Sequence, residues 1–113
     1  MVMTHEVLNG LLVVKPESRI DSSNAGTFEA HCAKLIAEGP KKVVVDLSTV
    51  DYISSAGLRV ILVAAKTVKS QGGSLTLCGL SGNVREVMEV SGFDVLFGAH
   101  EGIAEAAAAL GAE

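Results

Sequence analysis

Three consecutive valines at 43–45 lead through Asp46-Leu47-Ser48 and Asp51-Tyr52-Ile53 to a Ser54-Ser55-Ala56-Gly57 step, after which a helical periodicity takes over. No other stretch of the chain restricts the fold as strongly. A β-branched run that is apolar at every position belongs to a strand covered on both faces, as parallel strands under helices are. Such a strand leading into a helix implies an α/β arrangement. The step also sets Ser55 at the mouth of the helix, where unbonded N–H groups and the helix dipole favour added negative charge. A serine so placed can serve as a cap, a nucleophile or a phosphate acceptor.

The flanking sequence supplies the other elements. Asn9-Gly10 stands between Val7-Leu8 and the apolar run 11–14, the pattern of an antiparallel hairpin closed by a type I′ turn. Pro16 ends the second strand or confines it to an edge. Phe28, Cys32, Leu35 and Ile36 recur on one helical face, so a first helix is expected from Ser22 or Ser23, either of which can cap it, to Glu38, with Gly39-Pro40 as its stop. A buried strand is expected over 42–47. A second helix is expected over 55–70, buried through Leu58, Ile61, Leu62, Ala65 and Val68, with Arg59, Lys66 and Lys69 on its wet face. Then come a strand at 74–78 and a short helix capped by Ser81, buried through Val84, Val87 and Met88 and ended by Gly92. A final strand is expected near 95–97, and Ile103, Ala107 and Leu110 align on a last, Ala-rich helix. These elements make a mixed sheet, an N-terminal antiparallel hairpin followed by β-α units, with about four packed helices.

At 113 residues the chain is expected to form a single domain, 1–113, with a core of Val, Leu, Ile and Ala, since it has no tryptophan and only four other aromatic residues. A net charge of −4 and scattered Lys and Arg argue against binding nucleic acid. Cys32 and Cys78 lie far apart in apolar company, outside any C-x-x-C, and read as core residues rather than metal ligands or a redox pair. His31, on the polar stripe of the first helix, reads as a solvated surface residue. The apolar run 11–14 is too short for a signal-peptide core or a membrane span, so no membrane insertion and a cytoplasmic location are expected.

Around Ser55 several chemistries compete. Serine is a favoured helix N-cap, and that alone accounts for Ser54 and Ser55. A hydrolase elbow requires Gly-x-Ser-x-Gly, but Ile53 stands where the first glycine belongs, and His5, His31 and His100 have no acid partner in a motif context. A receiver-type phosphoaspartate at Asp46 would need an acidic pair after the first strand to hold Mg²⁺, and that region reads Leu-Leu-Val-Val-Lys-Pro. Asp46 and Asp51 read better as loop carboxylates binding backbone amides. No catalytic, metal or cofactor site is expected.

Residues 42–62 resemble the signature of the STAS domain, above all in the stand-alone anti-sigma factor antagonists of bacteria. The matching pieces are Asp46-Leu47-Ser48, Asp51-Tyr52-Ile53, Ser54-Ser55 and Gly57-Leu58. Arg19-Ile20-Asp21 fits the turn before the first helix, 72–77 the following strand, and 84–93 the third helix and its stop. The resemblance implies a non-enzymatic partner switch. The unmodified antagonist binds an anti-sigma factor that is also a serine kinase and so frees a sigma factor; phosphorylation separates the pair, and a serine phosphatase resets it. The family's acceptor falls on Ser55, with Ser54 as the lesser candidate because many members carry Asp there. The implied partner surface joins Asp21, Ser22 and Ser23 to Ser54, Ser55, Ala56, Gly57 and Arg59. Ser18 replaces a usual glycine, and Arg59 a small residue found in some antagonists. The alternative within the family is an unphosphorylated accessory subunit of a lipid or anion transporter. The exposed edge of the first hairpin is a place for weak homodimer formation.

Overall fold

The structure, a computed structural model, describes residues 1–111; Ala112 and Glu113, the end of the expected 1–113 span, lie outside the described residues. Strands β1 (Met3–Leu8) and β2 (Leu11–Pro16) form the expected hairpin, with Leu8 opposite Leu11 and a two-residue loop. Asn9 and Gly10 both have positive φ, as a type I′ turn requires. Pro16 is the last residue of β2, so its missing N–H costs the ladder nothing further along.

From β2 the main sheet continues in parallel through β4 (Lys42–Asp46), β6 (Ser74–Cys78) and β7 (Ala99–His100), in the order β1-β2-β4-β6-β7. The three valines sit centrally and are almost completely buried on both faces. Val43 and Val45 join the larger core with Leu12, Leu77, Phe28 of α1 (Ala25–Glu38) and Ile61 of α2 (Ser55–Ser70). Val44 points the other way, into a smaller core with Leu11, Val13 and Ala106 of α5 (Ile103–Ala109). That alternation is the two-faced burial expected of the valine run.

Several expected boundaries shift. Helix α1 begins at Ala25 behind Asn24, not at Ser22 or Ser23. The Asp21 carboxylate holds the Ser23 amide and hydroxyl, which keeps both serines in a turn outside the helix. Two short strands escaped notice, β3 (Ser18–Ile20) and β5 (Val50–Ile53), which pair in parallel as a separate ribbon. Asp51 is therefore an exposed strand residue rather than a loop carboxylate. Asp46 does bind a backbone amide, that of Ser48, at 3.0 Å, but from the buried end of β4. Helix α2 has the expected span, yet its buried stripe is Gly57, Val60, Ile61, Ala64 and Val68, with Leu58, Leu62 and Ala65 only half-buried. The neighbouring α1 covers the Val60–Ala64 flank, a tertiary choice that helical spacing does not encode.

Helix α3 (Gly82–Ser91) forms where expected and is buried through Val84 and Met88, but Val87 is only half-buried and Ser81 makes no capping bond. The strand expected near 95–97 is instead a short helix, α4 (Phe93–Phe97), which brings the helices among the described residues to five. Phe93 and Phe97 fall one helical turn apart and meet edge to face, centroids 5.2 Å apart. That contact exists only in a helical turn. Both cysteines are buried and free, and burial pushes each thiol up to about 12, helped by the Glu29 charge at Cys32 and the Asp46 charge at Cys78. His31 is exposed. Among the described residues no helix is long and apolar enough to cross a membrane.

Ser18 has φ +67° at the irregular start of the β3–β5 pairing, with its N–H bonded to Thr49 O at 2.9 Å. A left-handed backbone costs an L-residue about 1–2 kcal/mol, partly offset by the extra unfolded-state freedom of glycine. Ser18→Gly should therefore raise stability by about 0.5–1 kcal/mol in urea titrations.

Candidate functional site

Because β3 and β5 run parallel, with Ile20 beside Ile53, the segments that leave them emerge side by side. The Ser54 N–H donates to Ile20 O at 2.9 Å and ties the two exits together. One exit is the turn at 21–23, and the other is the head of α2. Sequence elements more than thirty residues apart thus form one continuous surface.

The turn is built around Asp21. One carboxylate oxygen accepts the amide and hydroxyl of Ser23, and the other accepts Arg19 Nε at 2.8 Å. Asn24 clasps the same loop, donating from Nδ2 to Arg19 O at 2.8 Å and accepting the Asp21 N–H at 2.9 Å. The Ser23 bonds, then Arg19, hold the Asp21 carboxyl below its usual range. That order is complete above the ordinary aspartate range and is lost as acid protonates the group. Arg19 also lies over the Tyr52 ring, 4.8 Å from guanidinium carbon to centroid. Arg19 and Tyr52 are neighbours in the β3–β5 register and remain exposed, extending the surface of the turn.

At the head of α2, Ser54 takes the N-cap position with extended backbone, and its carbonyl accepts the first intrahelical bond from Leu58 N at 3.0 Å. Its side chain makes no cap bond, and its Oγ is buried without a partner. The capping account of Ser54 is thus met by the backbone and not by the hydroxyl. Ser55 is the first helical residue and is exposed. No acid lies in the first turn to neutralise the positive end of the sixteen-residue helix. Ala56 is half-buried, Gly57 buried, and Arg59 exposed one turn further on.

Gly57 explains how the helix comes so close to the ribbon. A Cβ there would lie 2.7 Å from Ile53 Cγ1 and 2.8 Å from Ile20 Cγ2, inside contact distance. Absence of a side chain lets the first turn of α2 rest on both isoleucines. From the other side, Asn83 at the start of α3 accepts the Ile53 N–H at 3.3 Å.

The eight residues expected at the partner surface therefore divide in an orderly way. Ser22, Ser23, Ser55 and Arg59 are exposed, Asp21 and Ala56 are half-buried, and Ser54 and Gly57 position the rest. Sequence reading missed Arg19, Tyr52, Asn24 and Asn83 as members of the site. Only the register of the ribbon reveals the first pair, and only the α3 contact reveals Asn83.

The STAS domain profile matches residues 3–106. The chain belongs to the STAS domain family. It is 43% identical over 97 residues to BtrV of Bordetella bronchiseptica, which bears the name of an anti-sigma factor antagonist; the match spans 86% of this chain and 84% of BtrV. The crystal structure of an anti-sigma factor antagonist from Mycobacterium paratuberculosis superposes with TM-score 0.88 at 23% identity, covering 96% of this chain and 92% of that one. The phosphorylated form of the Bacillus cell fate determinant SpoIIAA superposes with TM-score 0.73 at 17% identity, covering 94% and 96%. The chain is thus a homologue of anti-sigma factor antagonists, STAS proteins that act as non-enzymatic regulators.

Two substitutions test the site's construction. Gly57→Ala should cost about 1–3 kcal/mol by overpacking against Ile20 and Ile53, measured by urea denaturation. Ser54→Ala should be neutral or slightly stabilising because it removes an unpaired buried hydroxyl; a side-chain cap would instead have cost about 0.5–2 kcal/mol.

Proposed function

We propose that this STAS protein is a phosphorylation-controlled antagonist of an anti-sigma factor, acting in the cytoplasm. In its unmodified form the joined surface of Asp21, Ser22, Ser23, Ser55, Ala56 and Arg59 docks on an anti-sigma factor that is also a serine kinase, and a sigma factor is released. The kinase then phosphorylates Ser55, the complex separates, and a serine phosphatase restores the hydroxyl.

The observation that carries this reading is the exposure of Ser55 at the head of α2 beside the Asp21 turn. A phosphate there adds about −1.5 to −2 charges. The unneutralised helix terminus accommodates that charge, so the domain keeps its fold. A partner surface fitted to a neutral hydroxyl does not, because burying a dianion without a cation costs several kcal/mol. A loss of about 3 kcal/mol already lowers affinity more than a hundredfold. The burial of the Ser54 Oγ supports Ser55 over Ser54 as the acceptor. The resemblance to BtrV supports the choice of partner class.

Intact-mass analysis after incubation with ATP and an anti-sigma factor kinase should show one added phosphate on the wild type and on Ser54→Ala, and none on Ser55→Ala. Ser55→Asp should lower affinity for the anti-sigma factor at least about a hundredfold with its melting temperature little changed. A phosphate retained by Ser55→Ala, or wild-type affinity in Ser55→Asp, overturns the assignment.

A further inference from the structure

The two edges of the main sheet are unlike. At one end β7 has only two residues, too short to template another strand. At the other end β1 has six, in unbroken register with β2 from Met3 opposite Pro16 to Leu8 opposite Leu11. Natural edges are normally guarded by charged side chains, lysine above all, by proline, a bulge or a covering element. Strand β1 carries one carboxylate, Glu6, but no lysine and no proline, its register has no bulge, and every residue after Met3 is exposed. Apolar side chains flank and close it, Val2 just before the strand 64% exposed and Val7 and Leu8 at its end 56% and 46% exposed.

We infer that β1 pairs antiparallel with β1 of a second copy of this chain, about a twofold axis through His5, to make one continuous sheet across the dimer. The sequence around this axis is chemically palindromic. Val2 faces Leu8 of the second copy, Met3 faces Val7, and Thr4 faces Glu6, so apolar meets apolar and hydroxyl meets carboxylate. The alternation of side chains limits the choice, because only twofold axes centred on a residue keep each side chain on its own face. Moving the axis to Glu6 sets two carboxylates opposite each other, and moving it to Thr4 sets Val2 against Glu6. A strand recognising a different protein would have no reason to match its own reverse.

A groove of about 580 Å³ lies between β1 and α1, lined among others by Met3, His5, Ala30, His31 and Leu35. In this register Val7 of the second copy comes opposite Met3, at the apolar side of that groove. The contact is isologous, so it closes as a dimer and does not propagate into fibres. It uses none of the residues assigned to the anti-sigma factor surface.

Sedimentation velocity between about 10 µM and about 1 mM should show a monomer converting to dimer, the concentration range expected for a small edge contact. The register is tested by single cysteines. Positions 5 of the two copies meet at the axis, whereas positions 8 lie six residues apart in register, or about 20 Å. A bis-maleimide shorter than that separation should cross-link His5→Cys into a dimer and leave Leu8→Cys monomeric, with the wild type as control because Cys32 and Cys78 are buried. A wild type that stays monomeric throughout the range overturns the proposal. So does a dimer in which Leu8→Cys cross-links as readily as His5→Cys, or in which neither does.

Discussion

The arrangement at Ser55 depends on a missing side chain. Gly57 lets the first turn of α2 settle on Ile20 and Ile53, and those isoleucines are neighbours only because β3 and β5 run in the same direction. The bond from Ser54 N to Ile20 O closes the same junction through the backbone. With the junction closed, the Asp21 turn and the head of α2 become one rigid corner. A side chain at position 57 would lift the helix off the ribbon and separate the Asp21 turn from the head of α2.

At the same junction the hydroxyl of Ser54 is buried and unbonded. The backbone carbonyl of Ser54 alone starts the helix. Ser55, one residue on, takes the open side of the turn. Two adjacent serines of identical chemistry are thereby given opposite environments by packing alone. One is masked and the other is presented.

Much of the framework was legible in the sequence because it rests on local rules. Asn9-Gly10 forces a hairpin, the valine run demands cover on both faces, Gly39-Pro40 stops a helix, and the span of α2 follows from its caps and periodicity. What failed was everything decided by tertiary neighbours. Strands of three and four residues such as β3 and β5 carry too little alternation to register. The flank of α2 that faces α1 is set by packing, and residues 95–97, which read as a strand, belong to a helical turn that only the contact between Phe93 and Phe97 reveals. At the site, the hydroxyl step and the Asp21 turn were visible as motifs. The Arg19–Tyr52 stack and the Asn83 clasp exist only across strand and helix contacts, so no local pattern announces them.

The two thiols have a different consequence. Each is enclosed by apolar neighbours and kept protonated far above neutral pH, one beside Glu29 and the other beside Asp46. Peroxide and disulfide reagents attack the thiolate, which is scarcely populated at either sulfur. Neither thiol is therefore an easy target for oxidants, and the two cysteines serve the core rather than redox chemistry.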